Sequence, residues 1–337
     1  MATMQDVADR AGVALSTVSV MLSGRRGVSA KTRAAIEQAM AELNYSVDSS
    51  AQSLASGSPK VLALHLPSIG NGTGDTIFSI ITGAYTEAAA QGYLLSVWPT
   101  PPAHAPNELV KLVKTKQAAG LILLEIELDD PRIMRLEREK IPFVAVGRPR
   151  NTADVNCVDI DFESATRDAV KLLASHNRSK LILLGHDADA GAAGTYAAAH
   201  RTSDAFDMAC KEFDLSGRIY FPDYTPLAGR ELARALIGDS LSIDAVVSMN
   251  EFATIGFVHE LTNLGYSVPN DVSVINIATS ERSSEMTTPN ITSLVADGDA
   301  IGREAVRALL ETLRGHAVTE DLHHLVKCRL SPGASLG

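Results

Sequence analysis

From Val61 onward, short apolar runs alternate with amphipathic stretches, and this alternation limits the fold more than any other feature of the chain. Candidate strands are Val61–Leu66, Leu94–Trp98, Gly120–Leu124, Phe143–Val146, Cys157–Ile160, Lys180–Leu184, Arg218–Phe221, Ala245–Ser248 and Val272–Ile277. Helical stretches such as Phe78–Gln91 and Phe162–Ser175 separate them. A β-α rhythm of this kind predicts an α/β body of parallel, doubly wound sheets. The stretch is long enough for two halves. The chain is expected to cross near Asp161 and return near Pro289, giving one lobe of about 61–161 with 290–322 and another of about 162–289 with 323–337. Ligands of such sheets sit at the carboxyl ends of the strands, here between the lobes.

The first 46 residues read differently. Thr3 can cap a helix whose third position is Asp6, a capping box with Asp in place of the usual Glu. Val7, Ala8 and Ala11 share one helical face, and Gly12 suits the left-handed end of that helix. A second helix is predicted from about Leu15 to Leu22, with Val18 and Leu22 inward. A third starts behind the N-cap Ser29, carries an apolar stripe of Ile36, Met40 and Leu43, and leaves at Asn44. Two short helices around a tight turn, followed by a third, form the shape that lays a helix in the DNA major groove. The early residues of the second helix then meet bases and phosphates. Periodicity alone fits a three-helix bundle without a nucleic-acid role equally well.

The full run carries a resemblance. Thr3, Asp6, Val7, Ala8, Ala11, Gly12, Val13, Thr17, Val18, Ser19 and Leu22, with the segments 28–33 and 41–45, match the N-terminus of the lactose-repressor (LacI) family of bacterial regulators. Segments 119–124, 141–148, 268–274 and 291–294 extend the resemblance through nearly the whole chain. It implies a helix-turn-helix DNA-binding domain at 1–46, a hinge at 47–60 and, at 61–337, an effector-binding and dimerisation core similar to periplasmic sugar-binding proteins. It implies a repressor whose homodimer reads a pseudo-palindromic operator on double-stranded DNA, with a small-molecule effector in the inter-lobe cleft. Its DNA-contacting set here is Thr3, Leu15, Ser16, Thr17, Ser19, Ser23, Arg25, Arg26, Ser29 and Thr32, with Lys31 and Arg33 as further phosphate partners. Leu15 and Ser16 fall at the base-reading pair. Ala14 stands where the family usually has Ser, removing an N-cap worth about 1 kcal/mol. Val20 stands where Arg is usual, so no guanidinium is offered there to a guanine. An operator unlike the family's usual one is expected.

By composition the hinge is a small, polar, flexible linker. By resemblance it folds on DNA, with Ala51, Gln52 and Leu54 at the minor groove, where a Leu wedge kinks the duplex. Asp48 beside phosphates is an unfavourable departure. In the body, the resemblance places Asn250 at a ligand-binding Asn, followed by Glu251 in place of Asp. Tyr224 falls where the family can set an aromatic against the ligand. Arg201 lies within one residue of a ligand-binding Arg, whose matched position holds Thr202. Phe78, Arg148, Asn276 and Asp297 complete the candidate pocket. Two sugar-binding features are absent: the expected Asp is Ala278, and the aromatic after Asp297 is Gly298. A polyol usually needs such carboxylate acceptors, so an unusual ligand, or loss of effector control, is expected.

Charge and cysteine usage narrow the classes further. The chain of 337 residues carries 30 Lys/Arg against 40 Asp/Glu. The first 60 residues hold six of the basic and five of the acidic ones, so the body is the acidic part. That argues against a general nucleic-acid coat and predicts modest non-specific DNA affinity. The scattered Cys157, Cys210 and Cys328 read as reduced, buried thiols of a cytoplasmic protein. No apolar run is long enough to span a membrane and no signal-peptide pattern opens the chain. The resemblance implies a dimer formed through the body, with tetramers needing an extra C-terminal heptad helix, and the tail after Cys328 has no heptads, so a dimer is expected.

Enzyme readings fail on spacing. In Gly70-Asn71-Gly72-Thr73-Gly74-Asp75 the third glycine of a dinucleotide fingerprint would fall on Asp75. His259-Glu260 lacks the second His of a zinc-protease motif, because position 263 is Asn263, and His323-His324 reads as a surface pair. No cofactor, metal or catalytic residue is expected. The alternative function is a small-molecule-binding module whose specific DNA binding is weakened or lost.

Overall fold

A computed structural model describes residues 2–22, 27–45, 59–67, 74–101, 104–153, 155–185, 196–238, 243–315 and 323–337. Three helices open the chain: α1 (Met4–Ala11), α2 (Leu15–Leu22) and α3 (Ala30–Glu42). The capping box at α1 is complete, since Asp6 N–H donates to Thr3 Oγ1 at 3.2 Å and Thr3 N–H donates to Asp6 Oδ2 at 2.7 Å. Gly12 ends α1 at φ 65°, a left-handed conformation that spares it the strain of a side chain. Ser29 caps α3 by accepting Thr32 N–H. Val7, Ala8, Val18, Met21, Ile36 and Ala39 form the buried core of the three helices. Met21 thus fills the place expected of Leu22, and Ala39 lies beside Ile36 while Met40 and Leu43 flank the core half-buried. At i+3 from Val18 and Ile36, Met21 and Ala39 stay over the same narrow face, and the i+4 side chains pack its rim.

The body folds as two sheets. The first strands are β1 (Val61–Leu66), β2 (Leu94–Pro99), β3 (Gly120–Leu123), β4 (Phe143–Val146) and β5 (Cys157–Ile160), joined by α4 (Asp75–Ala90), α5 (Ala105–Lys114) and α6 (Pro131–Arg138). Then follow α7 (Phe162–Ser175), β6 (Lys180–Leu184), α8 (Ala197–Glu212), β7 (Ser216–Tyr220), α9 (Pro226–Gly238), β8 (Ala245–Ser248), α10 (Glu251–Asn263), β9 (Ser273–Thr279), α11 (Glu281–Ser284) and β10 (Thr292–Val295). The last elements are α12 (Gly298–Leu313), β11 (His323–Val326) and β12 (Arg329–Ser331). Sheet order is β11-β5-β4-β3-β1-β2 in the first lobe and β12-β10-β9-β8-β6-β7 in the second. All pairings are parallel except β12 against β10. Each lobe therefore repeats one doubly wound order, with its switch point beside its first strand.

The C-terminal segments distribute otherwise than the sequence suggests. β10 lies in the second sheet beside β9, although 290–322 was expected in the first lobe. β11 lies in the first sheet beside β5, although 323–337 was expected in the second; only β12 follows that expectation. The chain returns to the first lobe between Val295 and α12, because the buried Leu294 completes the second core while Ile301, Ala305 and Leu309 of α12 pack into the first. Three segments thus connect the lobes. α12 packs closely on α4 at Gly302, where an added Cβ would lie 2.0 Å from the carbonyl oxygen of Ile80.

Candidate binding cleft and nucleic-acid interface

A cavity of about 120 Å³ lies where the strand ends of the two lobes face each other. From the first lobe it is lined by Gly74, Thr76, Ile77 and Ile80, by Leu124–Ile126 after β3, by Val146 and Gly147 after β4, and by Asp159 and Ile160 of β5. Phe162, Tyr196–Ala198, Tyr224, Met249, Glu251, Ala278 and Thr279 complete it. This is the crevice a doubly wound sheet offers at its carboxyl edge.

The two rims of the cavity are stitched together. Glu251 Oε1 accepts Asp75 N–H at 3.2 Å and Tyr224 Oη at 3.1 Å, while Oε2 accepts Thr279 Oγ1 at 2.7 Å. Thr76 Oγ1 donates to the carbonyl of Ala278 at 3.3 Å. Gly74 allows this closeness, because an added Cβ would fall 2.5 Å from both Glu251 Oε1 and Tyr224 Oη. A second stitch runs through β-bridge pairing of Glu127 with Tyr196 and the bond from Ala197 N–H to Ile126 carbonyl at 2.9 Å.

Burial shifts the titration of the wall. It pushes the Glu125 carboxyl up to about 7, and the charge of Arg132 only partly offsets this. It pushes Asp159 up to about 6 even against Arg148. Tyr224 is raised by burial and then by the neighbouring Glu251. Glu125 also holds a left-handed backbone at φ 51°. Arg132, itself buried and paired with Asp130 at 2.7 Å, fixes that turn by donating to the carbonyls of Leu124 at 3.0 Å and Glu125 at 2.7 Å. His65 is pushed down to about 4 by burial and by the Arg132 charge beside it.

Of the ligand candidates from sequence, only Tyr224 lies in the wall. Asn250 is fully buried and caps α10, accepting Ala253 N–H at 3.0 Å and donating to Pro222 carbonyl at 3.0 Å. Asp297 caps α12 through Ala300 N–H at 2.9 Å. Asn276 is buried within β9, and Phe78 stands 55% exposed on α4. Arg148 sits behind the wall, pairing with Asp159 at 3.0 Å and Glu163 at 2.6 Å. Arg201 crosses from the second lobe to the carbonyls of Arg148 at 3.2 Å and Pro149 at 3.1 Å. Sequence reasoning passed over Glu125, Asp159 and Tyr196. The signal available for Glu125 was a carboxyl directly after the apolar run Leu121–Leu124.

In the N-terminal helices, Leu15 (43% exposed) and Ser16 present themselves at the start of α2, with Thr17 and Ser19 half-buried beside them. Ala14 offers only its backbone carbonyl to Thr17 and Val18, so α2 starts without a side-chain cap. Thr3 is engaged with Asp6, and the Ser29 and Thr32 hydroxyls bond each other at 2.8 Å. Lys31 and Arg33 are exposed on the first turn of α3. Ser23, Arg25, Arg26, Ala51, Gln52 and Leu54 lie outside the described residues. Among the described residues no group of His, Cys, Asp and Glu is placed to hold a metal, and no helix is long and apolar enough to cross a membrane. The three cysteines are free thiols, with Cys157 and Cys210 buried and Cys328 only half-buried, against expectation.

Residues 3–48 match the bacterial regulatory proteins of the lacI family, and residues 170–336 match a periplasmic binding protein-like domain. The chain is 26% identical to catabolite control protein A of Priestia megaterium over 332 residues, covering 96% of each. It is 28% identical to the HTH-type transcriptional regulator MalR of Streptomyces coelicolor over 327 residues, covering 93% of this chain and 90% of MalR. The lac repressor dimer bound to operator and an anti-inducer shares the fold with a TM-score of 0.83 at 22% identity, over 99% of both chains. Head, two-lobed body and end-to-end similarity together give this chain the build of the LacI-type bacterial regulators: a lacI-family helix-turn-helix domain ahead of a periplasmic binding protein-like domain.

Proposed function

We propose that the chain is a ligand-responsive transcriptional repressor that binds a pseudo-palindromic operator as a homodimer. The carrying observation is one polypeptide that joins a helix-turn-helix head, with Leu15 and Ser16 exposed at the start of α2, to two lobes stitched across a cavity between them. A head of this kind reads base edges with early residues of its second helix, and two-fold pairing of heads matches an inverted repeat. A cavity between lobes suits an effector, because a ligand shifts an equilibrium only when it contacts the two lobe arrangements differently. Tyr224, Glu251, Thr279, Glu125 and Asp159 are the polar groups the effector meets. Arg148, Arg201, Asn250, Asn276 and Asp297 act one layer behind, holding loops and helix ends in place.

Selection from a random DNA pool by the purified protein, at two salt concentrations, tests the reading. The expected result is an enriched inverted repeat whose binding weakens steeply with salt. Absence of any enriched repeat, with the protein folded, would favour a small-molecule-binding module instead.

A further inference from the structure

The cavity wall carries three carboxyl groups, those of Glu125, Asp159 and Glu251, and no Lys, Arg or His among the described residues lines it. Two of the three are saturated from within. Glu251 accepts Tyr224, Asp75 N–H and Thr279, and Asp159 accepts Arg148 Nε at 3.0 Å and Ile160 N–H at 2.9 Å. The Glu125 carboxyl accepts no hydrogen bond from any described residue and feels only burial and the Arg132 charge. Arg132 is already engaged by Asp130, His65 and the carbonyls of Leu124 and Glu125. The rest of the wall is largely apolar, with Ile77, Ile80, Ile126, Val146, Ile160 and Phe162. A polyol placed here would find few free partners for its several hydroxyls, because Glu251 and Asp159 are already engaged and most of the wall is carbon, and an unpaired buried polar group is costly. A carboxylate in an apolar chamber calls for one charged donor, and ion-paired hydrogen bonds of this type are the strong ones.

We propose that the effector is a compact amphipathic cation: a protonated amine pairs with Glu125 while an apolar body fills the aliphatic wall. The proposal rests on the cleft being the effector site. It names a ligand class for which the missing Asp at Ala278 and the missing aromatic at Gly298 are no loss, because the ligand has no array of hydroxyls to satisfy. The left-handed Glu125 backbone, held by Arg132, keeps the carboxyl at the cavity.

Benzylamine and benzyl alcohol share a shape and differ in charge, so they isolate the contribution of the amine. Calorimetric titration of the full chain at about pH 8 should show benzylamine binding roughly tenfold tighter or more, as expected of a charge-assisted contact. Glu125→Gln should bring the two probes to comparable affinity, while its thermal midpoint shows that the fold is kept. Equal binding of the two by the unaltered protein overturns the proposal. So does a preference that survives Glu125→Gln, or silence toward both probes. Glucose is the third arm. If it binds both proteins alike while benzylamine is inert, the cleft stands as an effector site and the cationic class falls. If none of the three binds and cleft-wall variants also leave operator affinity unchanged, the effector reading falls with it.

Discussion

Glu251 of the second lobe caps a helix of the first: its carboxylate accepts the backbone N–H of Asp75 at 3.2 Å, at the N-terminus of α4. Gly74, the N-cap residue of α4, makes no side-chain cap of its own. A helix end is thus satisfied only when the lobes stand in this arrangement, which couples lobe position to a local hydrogen bond. Glu251→Ala removes the cap together with the acceptor for Tyr224 and Thr279. Urea unfolding should report a loss of about 2 kcal/mol, the cost of leaving buried donors unpaired. A change within error would show that the stitch carries no stability.

Gly74→Ala places a Cβ 2.5 Å from both Glu251 Oε1 and Tyr224 Oη, a separation real atoms do not tolerate. Both atoms are side-chain ends, so Glu251 and Tyr224 must swing aside, which breaks the stitch to Asp75 and frees the lobes to part. Small-angle scattering should give a larger radius of gyration than the unaltered protein, with a lower melting midpoint. An unchanged scattering curve would show that the close approach is relieved locally.

Glu125 makes stability depend on pH in a defined direction. Its folded value is raised to about 7 from the usual 4.5, so the folded state holds the proton more tightly than the unfolded chain. The contribution is fully present below pH 4.5 and is lost as pH rises through 7. Integrated, the loss is up to about 3 kcal/mol. Asp159, raised to about 6, slopes the same way, so the comparison must be with a variant. Glu125→Gln should be more stable than the unaltered protein at pH 8 and nearly equal to it at pH 4, read by urea midpoints. A variant less stable at pH 8 would refute the assignment.

On DNA, the exposed Leu15 and the exposed Arg33 have different tasks. Leu15→Ala should cost about 1–3 kcal/mol of operator affinity and relax the preference at one base pair of each half-site, leaving the salt slope alone. Arg33→Ala should weaken all sequences alike and lower the salt slope by about 1 per subunit. Ala14→Ser restores a side-chain cap to α2 and should stabilise the head by about 1 kcal/mol, read by thermal unfolding. Indistinguishable salt slopes for Leu15→Ala and Arg33→Ala would contradict this division.

The parts legible in the sequence are those decided locally. The capping box of Thr3 and Asp6, the Gly12 terminus and the Leu15–Leu22 helix follow from side chains a few residues apart. So do most buried parallel strands, whose apolar runs need no partner to be recognised. The tail was not legible. His323–Val326 and Arg329–Ser331 are short, partly polar edge strands, and tertiary pairing alone sends one to each sheet. In the cleft, the residues named from strand ends and those that line the cavity mostly differ, and Tyr224 alone is in both sets. Asn250 and Asp297 sit at strand ends as a ligand-binding residue would, yet short polar side chains there also cap the next helix, and here they do. Arg148 and Arg201 answer the carboxylates behind the wall. Glu125 escaped because its one local signal, a carboxyl directly after the apolar run Leu121–Leu124, fits a surface carboxyl at a strand end equally well.

The central claim is that the arrangement of the lobes governs the head. The most direct test is operator affinity of Glu251→Ala combined with Thr279→Ala, which unpicks the stitch without touching the helix-turn-helix. Fluorescence anisotropy on the selected operator should show a dissociation constant changed by roughly tenfold or more, within the range of known couplings between sites, with the salt slope preserved. An affinity equal to that of the unaltered protein would mean that the body and the DNA-reading head are not coupled.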